Sequence, residues 1–308
     1  MHDHIHGTPR ERMWIVLVLN LAIALAEIIG GIVSGSMALL SDAVHNLGDA
    51  LSVATSYIAI LIARRPATEK YSFGYKRAEV LAAFFNSSLL LFILALVLLE
   101  ALRRLISPVS ISTGAALVVA VVALVANTAS ALLLHRHSKH SINVRSVYLH
   151  MIGDVLSSLV VLSSLLIIRY TGLYVIDPLV SILVTLYIAR EAVHLLKEAA
   201  DILMDSSPID LRNVKETLES IPGVRNAHHC HAWRLSEHEI ALECHVDVDG
   251  DLSISSAQRI IVEAKRRLQA LGVIHVTLQI ENGLCKDKSL VCSTADDRAV
   301  ATQCRADK

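Results

Sequence analysis

Six apolar runs, at about positions 13–33, 37–63, 78–102, 113–134, 144–168 and 177–196, leave this chain little choice of environment. A helix needs about 20 predominantly apolar residues to cross the hydrocarbon of a bilayer, and these runs are of that order. With no water there to satisfy N–H and C=O groups, each run is expected to form a transmembrane α-helix. Composition agrees: 54% hydrophobic and 19% charged residues, with a mean hydropathy of +0.53, describe a chain suited to lipid. The first run begins near Met13 and is long enough to stay as an anchor, so no cleavable signal segment is expected.

Most of the charge sits in the first dozen residues, the connecting segments and the part after Leu203. No basic stripe interleaved with aromatics occurs, so nucleic-acid binding is not expected. Arg10 and Arg12, the stretch from Arg64 to Arg77, and the short His135-Arg136-His137-Ser138-Lys139-His140 segment outweigh the opposite connections, which hold Arg103, Arg104 and Arg169. Lys and Arg collect on the cytoplasmic side, which puts both termini there. His2, His4 and His6 read equally as a solvated tail or as weak metal collectors, whereas the histidines of 135–140 read more simply as part of a solvated basic loop than as a metal-collecting entrance. Cys230, Cys244, Cys285, Cys292 and Cys304 are odd in number and irregularly spaced, so free thiols are expected.

Two runs carry the same phrase. His45-Asn46-Leu47-Gly48-Asp49 lies in the second and His150-Met151-Ile152-Gly153-Asp154 in the fifth. An ionisable group at the centre of a membrane helix costs about 2.5–3.5 kcal/mol on insertion scales, so such a group requires a physical reason. Residues four apart share a helix face, so His45 stands with Asp49 and His150 with Asp154. If the two helices face each other, two imidazoles and two carboxylates form a tetrahedral N2O2 set suited to Zn2+. Two ionised aspartates carry the charge that a divalent cation neutralises. A single such pair reads most simply as a hydrogen bond between helices; the duplication favours the metal. Asn20, Glu27 and Asn127 also interrupt apolar runs and are expected to face the bundle interior.

After Met204 the pattern becomes that of a small soluble domain. Helical spacing at 211–221, strand patterns at 224–235 and 239–248, an amphipathic helix at 253–271 and a third strand at 273–281 give the order αββαβ. The expected fold is therefore an all-α six-helix transmembrane bundle followed by a C-terminal α+β domain of ferredoxin- or metallochaperone-like form. The divisions are a tail at 1–12, a membrane domain at 13–204, a cytoplasmic domain at 205–282 and a tail at 283–308 without periodicity, expected to be disordered.

The spans, the paired His-x-x-x-Asp segments and the αββαβ domain together resemble the cation diffusion facilitators, a family of zinc-exporting antiporters. Gly35-Ser36-Met37-Ala38-Leu39-Leu40-Ser41-Asp42-Ala43-Val44-His45 through Asp49, the loop Tyr71-Ser72-Phe73-Gly74-Tyr75-Lys76-Arg77-Ala78-Glu79, Asn143-Val144-Arg145 through His150 to Asp154, Ile176-Asp177-Pro178 and His231-Ala232-Trp233 carry the likeness. It implies that His45, Asp49, His150 and Asp154 form the transport site, alternately open to the two sides, with metal leaving as protons enter. It also implies a homodimer held partly by the cytoplasmic domains. In some members a second metal binds in the loop after the second span; this chain has Thr68, Tyr71 and Tyr75 at those places, so that site is expected to be missing. His228, His245 and Glu281 match a cytoplasmic-domain metal site, Gln279 replaces a usual ligand, and His229, His231 and Cys285 are candidates to substitute for it. The short segment between the fourth and fifth spans fits a bacterial exporter of the cell inner membrane.

Metal binding needs neutral imidazole and ionised carboxylate, so protons and metal compete for the same atoms. Two imidazoles favour Zn2+ over harder ions, with Cd2+ and Co2+ close behind. Two other readings stand beside export. A membrane hydrolase would keep an open metal position and a further base, and the chain has no His-Glu-x-x-His, so no enzyme activity is expected. A membrane-anchored metal sensor would use the cytoplasmic domain alone, and six spans exceed what an anchor needs.

Overall fold

The computed structural model describes residues 9–138, 142–236, 239–250, 252–283, 285 and 288–291, with side chains for all of these except 9–17 and 133–147. The histidines at 2, 4 and 6, the side chains of those at 135, 137 and 140, and the tail from 292 onward lie outside them. Two compact units divide the chain: one takes residues up to Ala59 with Ala82–Lys197, the other Ile60–Leu81 with the chain from Glu198.

The first unit holds most of six helices: α1 (Pro9–Ser34), α2 (Met37–Ala63), α3 (Ala78–Ile106), α4 (Thr113–Ser138), α5 (Ile142–Thr171) and α6 (Ile176–Leu203). Five of them are long and apolar enough to cross a membrane over their described residues; in α1 the apolar stretch with described side chains is the shorter Val18–Ser34. Their polarity is inverted relative to a water-soluble bundle. Ile29, Ile32, Phe85, Phe92, Val118 and Leu183 point outward, whereas Glu27, Asp42, Asn46, Asn127, Asp154 and Ser158 are buried. Small residues let the helices approach: Ala38 of α2 and Ala116 and Ala120 of α4 pack with Leu39, Val161 and Leu165.

The start of α2 is held from across the bundle. Its first N–H groups have no partner within their own helix. The Ser36 hydroxyl accepts from Leu39 N at 3.3 Å, and the buried Asp177 at the start of α6 accepts from Met37 N at 2.6 Å, Ala38 N at 3.2 Å and Ser36 Oγ at 2.6 Å. Lower down, Ser41 Oγ meets Ser181 Oγ at 2.6 Å. These bonds fix the position of α2, and hence of His45 and Asp49, against α6.

The second unit contains α7 (Leu211–Glu219), β1 (Val224–Arg234), β2 (Ile240–Val248), α8 (Ile254–Gln269) and β3 (Val273–Glu281), the expected αββαβ order. The sheet order is β1-β2-β3, antiparallel between β1 and β2 and parallel between β2 and β3. Asp210 caps α7 by accepting from Arg212 N, and Ser253 caps α8 by accepting from Ser256 N. Val214, Leu218, Ile260, Ala264 and Leu268 from the helices cover Ala227, Leu242, Val246 and Val273 of the sheet. The α2–α3 connection belongs to this unit, where Lys76 pairs with Glu239 and Arg77 with Asp205.

Two expectations are corrected here. Cys230 and Cys244 are not free thiols: they are joined across β1 and β2, both buried, with Cα atoms 4.1 Å apart. Their separation of 14 residues looked irregular along the chain, but folding β1 back on β2 makes them neighbours. Part of the stretch assigned to a disordered tail is also ordered. His229 N–H donates to Ser289 O at 3.1 Å and Cys230 N–H to Leu290 O at 2.8 Å, which ties Ser289 and Leu290 to β1 without any periodic pattern of their own.

Asp177→Ala leaves the α2 N–H groups without acceptors in a water-poor interior and should lower stability by at least about 2 kcal/mol, with Asp177→Asn losing less. Thermal unfolding of the detergent-solubilised protein measures this, and an unchanged midpoint for Asp177→Ala counts against the cap.

Candidate metal centres

The two His-x-x-Gly-Asp segments meet. His45 Nε2 lies 3.3 Å from Asp154 Oδ1 and His45 Nδ1 3.7 Å from Asp49 Oδ2; His150 Nε2 lies 3.0 Å from Asp49 Oδ2 and 3.9 Å from Asp154 Oδ1. The imidazoles stand edge to face at 5.7 Å. A tetrahedral ion with bonds of about 2.0–2.2 Å sets its donor atoms roughly 3.4 Å apart. His45 turns Nε2 to one carboxylate and Nδ1 to the other; with one donor atom taken from each residue, the four lie within 4.8 Å of one another, close enough to converge on one such ion. Both Asp154 oxygens are buried without a donor aligned on them, so their lone pairs are available to a shared cation.

A cavity of about 300 Å³ opens on this set, lined by His45, His150, Gly153, Asp154 and Ser157, with Tyr187 and Glu191 of α6 among the other residues. Asp154 and His45 sit at its inner end, 1% and 7% exposed. The His150 side chain is 40% exposed, so the donor set can be reached from outside. The two motif glycines serve different ends. A Cβ on Gly48 would come 3.1 Å from Leu90 of α3, so its absence lets two helices touch, whereas nothing lies within 4 Å of one on Gly153, which borders the cavity.

Behind the donors lies a second polar group that sequence reasoning recognised only in part. Asp42 accepts from Ser157 Oγ at 2.5 Å and Ser158 Oγ at 3.0 Å, Asn127 Nδ2 donates to Ser158 Oγ at 3.0 Å, and Asn46 Nδ2 donates to Glu27 Oε2 at 2.7 Å. Glu27 and Asn127 were expected to face inward. Asp42 was not singled out, although it precedes His45 by three residues and so shares its helix face. Tyr187 and Glu191 gave no signal, because nothing along α6 indicates which of its faces borders the cavity.

In the second unit, strand register assembles another cluster. His228 of β1 is paired with His245 of β2, and Glu281 ends β3 opposite Asp247. His228 Nε2 lies 2.9 Å from Glu281 Oε1, His245 Nδ1 3.5 Å from Glu281 Oε2, and His245 Nδ1 3.4 Å from Cys285 Sγ. The donor atoms of His228, His245, Glu281 and Cys285 lie within 4.8 Å of one another. His228 is fully buried, and neither its ring nitrogens nor the Glu281 oxygens have an aligned hydrogen-bond partner among the described residues. Burial pushes the His228 imidazole below its usual range, Lys288 acts in the same direction, and Glu281 and Asp247 oppose them. A neutral imidazole is the metal-binding form. Of the named substitutes, Cys285 joins the cluster, the His229 ring packs 4.5 Å from that of His245, and His231 lines a separate cavity with Trp233.

The chain is similar to known proteins over most of its length. Residues 13–204 match the family described as the cation efflux transmembrane domain, and residues 206–283 match the cytoplasmic domain of cation efflux proteins. The chain belongs to the cation diffusion facilitators. Among its relatives, the cadmium, cobalt and zinc/H(+)-K(+) antiporter of Bacillus subtilis is 33% identical over 94% of this chain and 95% of its own length. The metal cation efflux system protein CzcD of Cupriavidus metallidurans is 36% identical over 92% and 90%, and the zinc transporter ZitB of Escherichia coli 34% identical over 92% and 93%. A cation diffusion facilitator is a multi-pass integral membrane protein, in accord with the apolar helices.

Next to the second cluster, Lys288 pairs with the buried Asp247. Burial alone would raise the Asp247 carboxyl; Lys288 and the Gly283 N–H outweigh it and hold the group below its usual range. A depressed carboxylate contributes stability above its unfolded value of about 3.9, and this is lost as pH falls through the folded value. Hydrogen exchange at His229 and Cys230, whose amides bond Ser289 and Leu290, should therefore lose protection, relative to intrinsic rates, as pH drops below about 4. Asp247→Asn should show part of that loss at neutral pH, and equal protection throughout would exclude the coupling.

Proposed function

We propose that this protein exports divalent cations from the cytoplasm in exchange for H+, with Zn2+ the preferred cargo and Cd2+ and Co2+ also accepted. One observation carries the reading: four donors from two helices, two nitrogens and two oxygens, lie within 4.8 Å of one another beside an open cavity. His45, Asp49, His150 and Asp154 are the proposed transport ligands. Imidazole with carboxylate suits Zn2+ better than the harder Mn2+ or Mg2+. The names of the relatives point the same way, since they cite zinc, cadmium, cobalt and proton antiport.

The proton half of the exchange follows from the donor chemistry. An empty, fully ionised set would leave two carboxylates uncompensated in a low-dielectric interior. Protons on the same atoms relieve that cost, and the cation must displace them. In this reading residues 13–204 carry transport and 205–282 form a cytoplasmic domain through which two chains associate. Both termini then lie in the cytoplasm, the membrane is the bacterial inner membrane, and His228, His245 and Glu281 hold a second, resident ion.

Purified protein in vesicles with an imposed pH gradient provides the test. Asp49→Ala and Asp154→Ala should each reduce Zn2+ flux by at least about tenfold, equivalent to roughly 1.4 kcal/mol of lost transition-state stabilisation. His45→Asp, which substitutes oxygen for nitrogen, should change the Zn2+/Cd2+ flux ratio. Zinc carried at the unmodified rate by both alanine variants would sink the site assignment.

A further inference from the structure

The Cys230–Cys244 link lies where the β1–β2 ladder is interrupted. His228 pairs with His245 and His231 with Glu243, so His229 and Cys230 stand together opposite Cys244, two residues against one. This is a β-bulge, and His229 takes a left-handed conformation within it, with φ at 50°. A bulge leaves N–H groups out of the ladder, and here those of His229 and Cys230 donate instead to Ser289 O and Leu290 O. On this side of His228 the two strands are therefore joined by sulfur rather than by regular pairing, and His228 supplies the fully buried imidazole of the second cluster. Both sulfurs also lie near the His228 backbone: its carbonyl oxygen is 3.3 Å from Cys244 Sγ and 3.6 Å from Cys230 Sγ. Each thiol thus has an acceptor in place once the link opens, and opening strands no buried donor. Cys230 borders a cavity of about 520 Å³ that Asp205, Trp233, Glu243 and Val291 also line, which leaves room for a small thiol beside it.

Disulfides in a reducing cytoplasm are, as a class, transient and redox-sensing rather than structural. We propose that Cys230 and Cys244 are a redox-active site that exchanges with a small monothiol of the glutathione class, and that the closed link tightens the hold of His228, His245 and Glu281 on their ion. The exchange balances with that thiol alone. A thiolate of the reductant attacks Cys230 Sγ, the S–S bond breaks, and Cys244 leaves as a thiolate that takes up the reductant's proton. A second thiol then attacks the mixed disulfide, joining the two reductant molecules by a new S–S bond, and Cys230 takes the second proton. Two electrons have passed from the reductant to the pair; its disulfide accepts them back when the link closes. While closed, the link holds β1 to β2 at the bulge, so His228 stays opposite His245 before an ion arrives. Opening it restores freedom that ion binding must then remove, and affinity falls. Linkage makes the effect mutual: the bound ion stabilises the closed link by the same factor.

The proposal rests on the reading that puts residues 205–282 in the cytoplasm with an ion at His228, His245 and Glu281. Full-length solubilised protein equilibrated with glutathione buffers of graded potential, without and with buffered free Zn2+, provides the test. Alkylation of the opened thiols, followed by mass analysis of the peptides carrying Cys230 and Cys244, gives the midpoint. The pair should open and close reversibly, and Zn2+ should make the midpoint more negative by at least about 20 mV, the two-electron equivalent of an about fivefold tighter hold by the closed form. A link that stays closed in every buffer, or that does not re-form, overturns the redox site. An unchanged midpoint overturns its tie to the ion, and so does a less negative one, because the ion then favours the opened thiols. These outcomes are read on the unmodified protein and depend on no variant folding. His228→Ala should abolish the Zn2+ shift and Asp49→Ala should keep it; a shift that survives His228→Ala refutes the tie. Equilibrium dialysis of the same samples separates the two readings. An ion that His228→Ala removes, bound without any change of midpoint, refutes the tie alone, whereas the absence of such an ion means that the reading of the cluster has failed and the tie with it.

Discussion

Everything in the membrane unit answers to one constraint: an ionised side chain surrounded by hydrocarbon must find a compensating charge or donor. Asp154 is 1% exposed, and His45 lies against it at 3.3 Å. Asp49 is approached by both imidazoles, and Asp177 receives two backbone N–H groups and a hydroxyl. Asp42 takes two hydroxyls from α5. Remove the need to neutralise these carboxylates and little specifies how α2, α5 and α6 are rotated about their axes. Packing of apolar side chains against lipid is nearly indifferent to that rotation, because the tails are as apolar as the helix faces. These acids therefore also orient the bundle, so changes at them should affect folding as well as any role in the proposed transport.

The two donor clusters have similar chemistry and different construction. The membrane set uses the four-residue repeat of a helix, twice, with each helix supplying one imidazole and one carboxylate. The set in the second unit uses strand register: His228 and His245 are direct partners across an antiparallel pair, and Glu281 arrives on a parallel third strand. Their exposure differs as well. The helix set keeps a part-exposed His150 beside a cavity, the access that the proposed cargo site requires. The strand set has a fully buried His228 and a nearly buried Glu281, suited to an ion that stays. Cys285 brings a softer donor that the matched positions of the family did not supply.

Much of the architecture was legible because the strongest signals are local. A long apolar run in lipid has only one regular solution, and alternation in 240–248 or helical spacing in 254–269 reflects which face meets a core. The predicted boundaries of α2, and of β3, agree with the observed Met37–Ala63 and Val273–Glu281. What was misread depended on partners distant in sequence. The Cys230–Cys244 link comes from β1 folding back on β2, and the docking of Ser289 and Leu290 from backbone groups that carry no side-chain code. Asp42 escaped notice because one acid near a helix start also fits a surface position; only Ser157 and Ser158 arriving from α5 show that it is buried.

Sequence alone determined that this chain enters a membrane as several helices, that a small αββαβ domain follows, and that His45 stands over Asp49 and His150 over Asp154. These follow from period and length, which any short stretch of backbone obeys by itself. Tertiary structure decided that the two motif faces point at each other with their donor atoms within 4.8 Å, that a cavity reaches them beside Gly153, and that Ser157 and Ser158 meet Asp42 behind them. Those outcomes depend on the rotation and separation of helices that are far apart in the chain. Such quantities are set by the summed contacts of the whole bundle, and no single segment encodes them.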